Sequence, residues 1–254
     1  MKIAFTGKGG VGKTTLAGLF IQALAKGEKE VLAVDCDPSI NLGRALGLES
    51  ARKITPIAEM EKLINERMGV SEGNKTFFKL NPKLDDIPDK FAVKSGNIKL
   101  IVMGAVEKGG SGCMCPENTF VKNLLSHLIL KRGEHLVMDM VAGIEHLGRG
   151  TAESCDFVLI VVEPTLDAIG VAKKIRIFAR DIGVKKIYAI GNKVRGAEDI
   201  EFIKKNIDDI TLLDTIDFDE CFLKKDKKDG TFEVSKKVNE SIQRIKKILE
   251  EDTD

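Results

Sequence analysis

The sequence predicts a doubly wound α/β fold, in which helices cover both faces of a mostly parallel sheet. Three observations support this prediction. Short apolar segments alternate along the chain with segments of helical periodicity. Some of them, such as FVLIVV at 157–162, are apolar throughout, which is typical of strands buried on both faces. A glycine-rich loop, GKGGVGKTT at 7–15, lies between the first strand and the first helix.

The apolar pattern also gives the positions of the elements. Strands are expected at 2–5, 31–34, 98–103, 135–140, 157–162 and 187–190, with a weaker one at 210–213. The clearest helix is expected at 117–131, where one face is formed by Phe120, Val121, Leu124, Leu125 and Leu128. The stretch 69–97 is the least regular. We therefore predict a single domain, 1–254, with an irregular insertion at 69–97 in one crossover.

Composition and charge exclude several classes of function. The chain has 254 residues, of which 43% are hydrophobic, so it can form a sizeable core. Its 40 basic and 39 acidic residues leave a net charge of +1, so no general field favours nucleic acid or an anionic membrane. No apolar run approaches the roughly 18 residues of a spanning helix, and no cleavable signal fits before the glycine loop. We expect a cytoplasmic protein without a nucleic-acid or membrane partner.

The glycine-rich loop carries a phosphate-binding motif. Gly7, Gly12, Lys13 and Thr14 fit the pattern GxxxxGKT between a strand and a helix. Glycines allow backbone N–H groups to turn toward phosphate oxygens, while Lys13 reaches the outer phosphates and the Thr14 hydroxyl ligates Mg²⁺. The residues predicted to bind the nucleotide here are Gly9, Gly10, Val11, Gly12, Lys13, Thr14 and Thr15.

Polar residues that follow other strands complete this predicted site. Asp139 ends a buried strand, where a carboxylate that supports Mg²⁺ is expected. Asp35 and Asp37 follow the second strand, and a carboxylate there orients the attacking water or binds Mg²⁺ through water. The alternative for either residue is a cap of the next turn, and of the two we expect Asp37 to be the functional carboxylate. Asn192 follows a later strand and is predicted to bind adenine, with a plain turn residue as the alternative.

Four segments resemble one group of ATPases. The loop KGGVGKTT resembles the deviant Walker A motif of the MinD, ParA and nitrogenase iron-protein group. The switch I, switch II and adenine-reading segments of that group resemble VDCDP at 34–38, DMVAGIEH at 139–146 and NKV at 192–194. The resemblance covers nearly the whole chain, and it implies hydrolysis of ATP to ADP and phosphate.

The resemblance also explains why the loop has two lysines. In that group, the first lysine of the loop crosses a dimer interface and contacts the partner's nucleotide. This implies that Lys8 supplies positive charge in trans, like an arginine finger, whereas Lys13 serves its own subunit. ATP would then hold two subunits together, and hydrolysis would release them. The implied catalytic residues are Lys8, Lys13 and Asp37.

A pair of cysteines indicates what the ATPase acts on. The chain has five cysteines, an odd and low count that does not suit a disulfide framework. Cys113 and Cys115 form a C-x-C pair before Pro116, at the predicted start of a helix whose positive end favours thiolates. Two such pairs in a twofold dimer would supply four sulfurs, which suits tetrahedral Zn²⁺ or square-planar Ni²⁺. The alternative is two incidental small apolar residues.

Two longer segments narrow the resemblance. KGGSGCMCPEN at 108–118 and DMVAGIEHLGRGT at 139–151 are similar to the CooC-type nickel-insertion ATPases. These mature carbon monoxide dehydrogenase, and close relatives serve acetyl-CoA synthase. The resemblance implies a homodimer, bridged by metal or ATP, that supplies Ni²⁺ to such a client enzyme. One departure is Ile216–Asp217, where relatives often have Ile-Pro, and it affects the details of adenine stacking.

Two other functions remain as alternatives. One is an iron–sulfur cluster carrier or a nitrogenase-like reductase. A reductase of that type would hold a cluster with two widely separated cysteines, one near switch II, but 139–146 contains none. A positioning ATPase of the MinD or ParA type would use an amphipathic C-terminal helix on a membrane, or a basic patch on DNA. The amphipathic segment 241–249 is followed by EEDTD, which anionic lipid repels, so we expect it to pack on the domain. Neither alternative explains the cysteine pair.

Overall fold

A computed structural model of the protein describes residues 1–37, 39–48, 50–51, 54–70, 78–104, 116–130, 134–141, 143, 155–207, 209–222 and 234–253. The strands are β1 (Lys2–Thr6), β2 (Val31–Asp35), β3 (Val93–Ser95), β4 (Ile98–Val102), β5 (His135–Asp139), β6 (Phe157–Val162), β7 (Ile187–Val194) and β8 (Thr211–Asp217). The helices are α1 (Lys13–Leu24), α2 (Leu42–Ala45), α3 (Glu61–Met68), α4 (Ile87–Phe91), α5 (Pro116–Leu130), α6 (Leu166–Asp181), α7 (Ala197–Asn206) and α8 (Lys236–Glu251).

The strands form one sheet of eight, in the order β3-β4-β2-β5-β1-β6-β7-β8. Strand β3 runs antiparallel to β4, and the other neighbouring pairs are parallel. The predicted doubly wound and mostly parallel sheet is therefore confirmed. Strand β1, which leads into the phosphate loop, lies between β5 and β6 near the centre of the sheet. The carboxyl ends of these parallel strands consequently lie at one edge around the loop.

Strand β6 shows why continuous apolar runs predict this fold. All six of its residues are buried. On one face, Phe157, Leu159 and Val161 pack with apolar residues of α1 and α8. On the other face, Val158, Ile160 and Val162 pack with apolar residues of α5 and α6. A strand with helices on both faces needs apolar residues at every position, because neighbouring side chains point to opposite faces.

The region 69–97, predicted to be an irregular insertion, contains some regular structure. In its described part, it contains helix α4 and the edge strand β3. Strand β3 has three residues, of which Lys94 and Ser95 are exposed, so it lacks the apolar run by which the other strands were predicted. It turns into β4 at Gly96, whose φ of 54° is in the left-handed region that favours glycine.

Helix α8 packs on the sheet, as expected from its sequence. It begins after Ser235, whose hydroxyl accepts a hydrogen bond from the Val238 N–H at 3.5 Å. Its apolar face is buried in the same core cluster as α1, through Val238, Ile242, Ile245 and Leu249. Among the described residues, we find no helix with the length and apolar character needed to cross a membrane.

Candidate nucleotide-binding site

The phosphate loop forms one wall of a cleft of about 420 Å³ at the carboxyl edge of the sheet. The cleft is lined by Gly9, Gly10, Gly12, Lys13, Thr14, Thr15, Asp37, Ser39, Asn41, Arg44 and Ala45. Predicted site residues from the loop and from the end of β2 therefore lie together. Ser39, Asn41 and Arg44 were not predicted. Their closeness to Asp37 in the chain was the available signal, but it does not show which side chains face the cleft.

Two glycines of the loop are required by close contacts. Gly7 has a φ of 142°, and a Cβ atom there would lie 2.4 Å from the backbone oxygen of Val161. Gly12 has a φ of 98°, and a Cβ atom there would lie 2.4 Å from Nδ2 of Asn192. Both the backbone conformation and the space therefore favour glycine. The loop is therefore packed closely against β6 and β7.

Three carbonyl groups of the loop accept hydrogen bonds, from Lys13 of the loop, from Leu16 of helix α1 and from Asn192 of β7. The Lys8 carbonyl accepts from Nζ of Lys13 at 3.2 Å, and the Gly12 carbonyl accepts from the Leu16 N–H at 3.0 Å. The Val11 carbonyl accepts from Nδ2 of Asn192 at 2.7 Å. Because C=O and N–H point in opposite directions across a trans peptide, these bonds orient the N–H groups that follow each carbonyl. Backbone N–H groups that are oriented in this way can donate hydrogen bonds to a bound anion.

Lys13 is the buried cation of the site. The residue is only 7% exposed, and burial lowers the pKa of its ammonium group, whereas the nearby Asp139 and Asp37 raise it. Its contact with the Lys8 carbonyl holds the ammonium group within the loop. A positive charge that has lost much of its hydration interacts strongly with phosphate oxygens.

Asp139 is a buried carboxylate at the end of β5. It is fully buried, and burial raises its pKa to about 7. Thr14 lies close enough for its hydroxyl to lower that pKa, but neither carboxylate oxygen has a hydrogen-bond partner of ordinary geometry among the described residues. A buried polar group without partners is costly. The oxygen atoms of Thr14 and Asp139 therefore fit Mg²⁺, which binds to one or two carboxylates together with phosphate and water.

Asp35 and Asp37 have different surroundings. Asp35 is buried and accepts hydrogen bonds from the N–H groups of Asp37 and Leu42, at 3.1 and 2.9 Å. Burial nevertheless raises its pKa to about 6. Asp37 lies on the cleft, and its Oδ1 accepts from the Ser39 N–H at 2.8 Å. Asp35 thus supports the turn while Asp37 faces the cleft, and the predicted role of Asp37 in hydrolysis stays a prediction.

Lys8 is directed away from the cleft that Lys13 enters. Its Nζ lies 3.4 Å from Oδ2 of Asp167, in the first turn of α6. The Lys8 side chain is 35% exposed and that of Asp167 is 83% exposed, so water screens this ion pair. Among the described residues, Lys8 is not part of the cleft lining. Leu166, next to Asp167, is 71% exposed.

Asn192 lies within β7 instead of in a turn. It is 5% exposed, and its amide is bonded to the Val11 carbonyl. Its contact with adenine stays a prediction. Nearby, the Phe218 N–H donates to the Val194 carbonyl at 2.8 Å, and the Arg195 guanidinium lies 4.3 Å from the centre of the Phe218 ring. Ile216, where the sequence departs from Ile-Pro, is fully buried at the end of β8.

The C-x-C pair, Cys113 and Cys115, lies outside the described residues. Helix α5 begins at Pro116, one residue before the predicted start. Cys36 and Cys155 are buried, and burial raises the pKa of both thiols, so neither is a thiolate near neutral pH. In the described ranges, no three His, Cys, Asp or Glu side chains are grouped so that they could hold a metal ion.

Comparison with known proteins identifies the family. Residues 2–232 match the family described as CobQ/CobB/MinD/ParA nucleotide binding domain. The chain belongs to this family. It is therefore a P-loop ATPase, in agreement with the phosphate loop and the fold.

Two relatives are similar over most of the chain. The carbon monoxide dehydrogenase accessory protein CooC of Rhodospirillum rubrum is 47% identical over 221 residues, which are 86% of this chain and 84% of the relative. An uncharacterized ATP-binding protein of Methanocaldococcus jannaschii is 42% identical over 249 residues, or 96% of each chain. Among solved structures, the cell division ATPase MinD of Pyrococcus furiosus matches with a TM-score of 0.68, 18% identity and 98% coverage of each chain. This last likeness concerns the fold alone.

Proposed function

We propose that this ATPase is a dimerising metallochaperone of the cytoplasm that supplies Ni²⁺ to carbon monoxide dehydrogenase or acetyl-CoA synthase. The observation that supports the dimerising ATPase is the different placement of the two loop lysines. Lys13 is buried in the cleft, whereas Lys8 points toward α6. A loop with one lysine inside its own site and one outside is suited to act on two nucleotides. The similarity to the accessory protein from Rhodospirillum rubrum supports the choice of client.

Hydrolysis divides the work between two subunits. In the dimer, Lys8 exchanges Asp167 for the terminal phosphate of the ATP bound by the partner subunit, as an arginine finger does. Lys13 neutralises the phosphates of its own subunit. Asp37 orients the water whose oxygen forms a bond to the terminal phosphorus, while the bond from that phosphorus to the bridging oxygen breaks. ADP leaves with the bridging oxygen. The products are ADP and inorganic phosphate, and the proton that the water loses passes to solvent.

Three residues of the site would hold the Mg²⁺ ion that accompanies the nucleotide. When bound, Mg²⁺ supplies charge that offsets the negative phosphate oxygens. Thr14, Asp37 and Asp139 would hold it, directly or through water. The buried carboxylate of Asp139, which lacks a partner of ordinary geometry in the described chain, supports this assignment.

The transported metal binds at the dimer interface. Cys113 and Cys115 of two copies supply four sulfurs, and the beginning of α5 at Pro116 supports the thiolate form through the positive end of the helix. Ni²⁺ is the proposed cargo, and Zn²⁺ can occupy the same thiolates. Because the sulfur site and the nucleotides span one interface, ATP-driven closure changes metal affinity, and metal changes ATP affinity by the same factor.

Metal titration of the reduced protein tests the proposal. We expect one Ni²⁺ per two chains by native mass spectrometry, with a larger dimer fraction when metal is present. Cys113→Ala with Cys115→Ala should lose the metal and the maturation of a co-expressed client, but should still bind ADP. Cys221→Ala is the matched control and should behave like the wild type, since Cys221 lies elsewhere, after β8.

Two outcomes contradict the shared site. One is a stoichiometry of one metal per chain, and the other is metal binding that is unchanged in the double variant. A brown protein after purification without oxygen would instead favour the iron–sulfur carrier.

A further inference from the structure

Two consecutive residues of β7, Asn192 and Lys193, contact the same phosphate loop. In a regular strand, neighbouring side chains point to opposite faces. Lys193 has a φ of 60°, which is the left-handed region, and the pairing of β7 with β8 shifts register between Gly191 and Val194. This break in the strand allows both side chains to reach the loop. A lysine rarely adopts this conformation, and such outliers cluster at functional sites.

The ammonium group of Lys193 links the loop to the end of β6. Its Nζ donates to the Gly10 carbonyl at 2.6 Å and lies 2.9 Å from Oε2 of Glu163. Glu163 directly follows β6, and its side chain is 20% exposed. The contact to Gly10 spans 183 residues of sequence. The loop is therefore held from outside the cleft by a charged pair that the phosphate motif does not include.

The two contacts set the direction of successive peptide groups. Lys193 binds the Gly10 carbonyl, and Asn192 binds the next carbonyl, that of Val11. Across each trans peptide the N–H points away from its carbonyl, so the N–H groups of Val11 and Gly12 point away from β7. The Val11 N–H lies 3.4 Å from the Lys8 carbonyl, which is a long hydrogen bond that a phosphate oxygen can replace.

We propose that Lys193 is a positioning residue of the phosphate loop, and that Glu163 holds it in place. The pair sets the affinity for the polyphosphate part of the nucleotide and does not recognise the base. This assigns to Lys193 a role different from the adenine contact that the segment 192–194 was expected to make. The inference rests on the nucleotide site of the ATPase and does not depend on nickel, on the cysteines or on a client enzyme.

The test compares a ligand that has a base with one that has none. Lys193→Met keeps the length of the side chain but removes its charge and its hydrogen bonds. The affinities of ADP and of tripolyphosphate are measured by competition with a fluorescent ADP analogue in the presence of Mg²⁺. Loss of one charge-assisted hydrogen bond should weaken both ligands by roughly tenfold.

Three further variants distinguish a role in positioning the phosphate loop from a general effect on folding or on net charge. Lys193→Arg keeps the donor and should restore most of the affinity for both ligands. Glu163→Gln should weaken both in the same direction, but less. Lys204→Met makes the same change of charge at an exposed lysine of α7 and should leave both affinities unchanged.

Two results would overturn the proposal. A loss of ADP affinity with unchanged tripolyphosphate affinity would show that the residue reads the base. Unchanged affinity for both ligands in Lys193→Met, whatever its thermal stability, would show that the contact does not position the loop.

Discussion

Asp35 and Asp139 lie directly opposite each other on the parallel strands β2 and β5, and both are fully buried. Burial is the main cause of the raised pKa of Asp139, and the charge of Asp35 raises that pKa further. They differ in their partners. Asp35 accepts two backbone hydrogen bonds, whereas Asp139 lacks partners of ordinary geometry among the described residues. Asp139 lies close enough to Thr14 and Lys13 for both to lower its pKa. One carboxylate therefore supports the backbone, and the other is available to the site.

The first prediction concerns the pH dependence of stability without nucleotide and metal. Burial raises the pKa of Asp139 from its ordinary value of 3.8 to about 7. Between these values the folded protein holds a proton that the unfolded chain has lost, so the free energy of unfolding should fall as the pH rises from about 4 to about 7. Asp139→Asn removes this titration and should stabilise the metal-free protein at pH 8, by on the order of 2 kcal/mol.

Urea unfolding at several pH values measures this effect. The same variant should hydrolyse ATP poorly, because it lacks the carboxylate proposed to hold Mg²⁺. If Asp139→Asn leaves the pH dependence of unfolding unchanged, Asp139 is already ionised in the folded protein. Another group must then offset the cost of burying its charge.

The second prediction concerns the trans role of Lys8. Lys8→Ala should keep its affinity for ADP, because this side chain lies outside the cleft, but it should lose ATP-driven dimerisation and most hydrolysis. Lys13→Ala removes the buried cation and should weaken nucleotide binding itself. Sedimentation with a slowly hydrolysed ATP analogue and steady-state hydrolysis distinguish the two. Normal hydrolysis by Lys8→Ala would contradict the proposed role.

The ion pair between Lys8 and Asp167 supplies a control for that experiment. Asp167→Asn removes the counterion that Lys8 must leave before it can reach a partner. Because the pair is exposed, its loss should change the free energy of unfolding by less than about 1 kcal/mol. The variant should dimerise with ATP at least as readily as the wild type. Slower dimerisation would mean that Asp167 itself contributes to the interface.

The third prediction separates Asp37 from Asp35. Asp37→Asn keeps the size of the side chain and should give a protein that binds Mg-ATP, forms a long-lived dimer and hydrolyses slowly. Asp35→Ala leaves the N–H groups of Asp37 and Leu42 without their acceptor and should lower the free energy of unfolding by about 1–3 kcal/mol. Single-turnover kinetics and thermal unfolding give the two readouts. Rapid turnover in Asp37→Asn would remove that residue from the mechanism.

The fourth prediction compares a glycine whose Cβ position is crowded by backbone with a glycine whose Cβ position is open. Gly7→Ala would place a Cβ atom 2.4 Å from the Val161 carbonyl oxygen, which belongs to the backbone of a central strand and cannot move freely. It should destabilise the protein by more than about 2 kcal/mol. At Gly170, in α6, no atom lies within 4 Å of the corresponding position apart from its chain neighbours and the nearby backbone of its own helix. Gly170→Ala should therefore stabilise by about 0.5–1 kcal/mol, through its higher helix propensity. Equal melting temperatures for the two variants would contradict this account.

The sequence by itself determined the fold class and the place of the phosphate loop. Strand β6 was predicted and is observed at the same residues, because a strand buried on both faces needs an apolar residue at every position. The glycine motif was equally clear, since phosphate binding requires particular residue types at fixed spacing within one short segment. Strand β3 was missed because an exposed edge strand of three residues has no such pattern.

Only the tertiary structure decided which side chains meet at the loop. Asn192 contacts the carbonyl of Val11, 181 residues earlier, and Lys193 reaches Gly10 through a left-handed backbone conformation. The direction of Lys8 toward Asp167 was likewise not visible in the motif. Periodicity depends on neighbours along the chain, so it can be read from the sequence. Contacts between the ends of different strands depend on strand order and register, which are set by the packing of the whole core on both faces of the sheet.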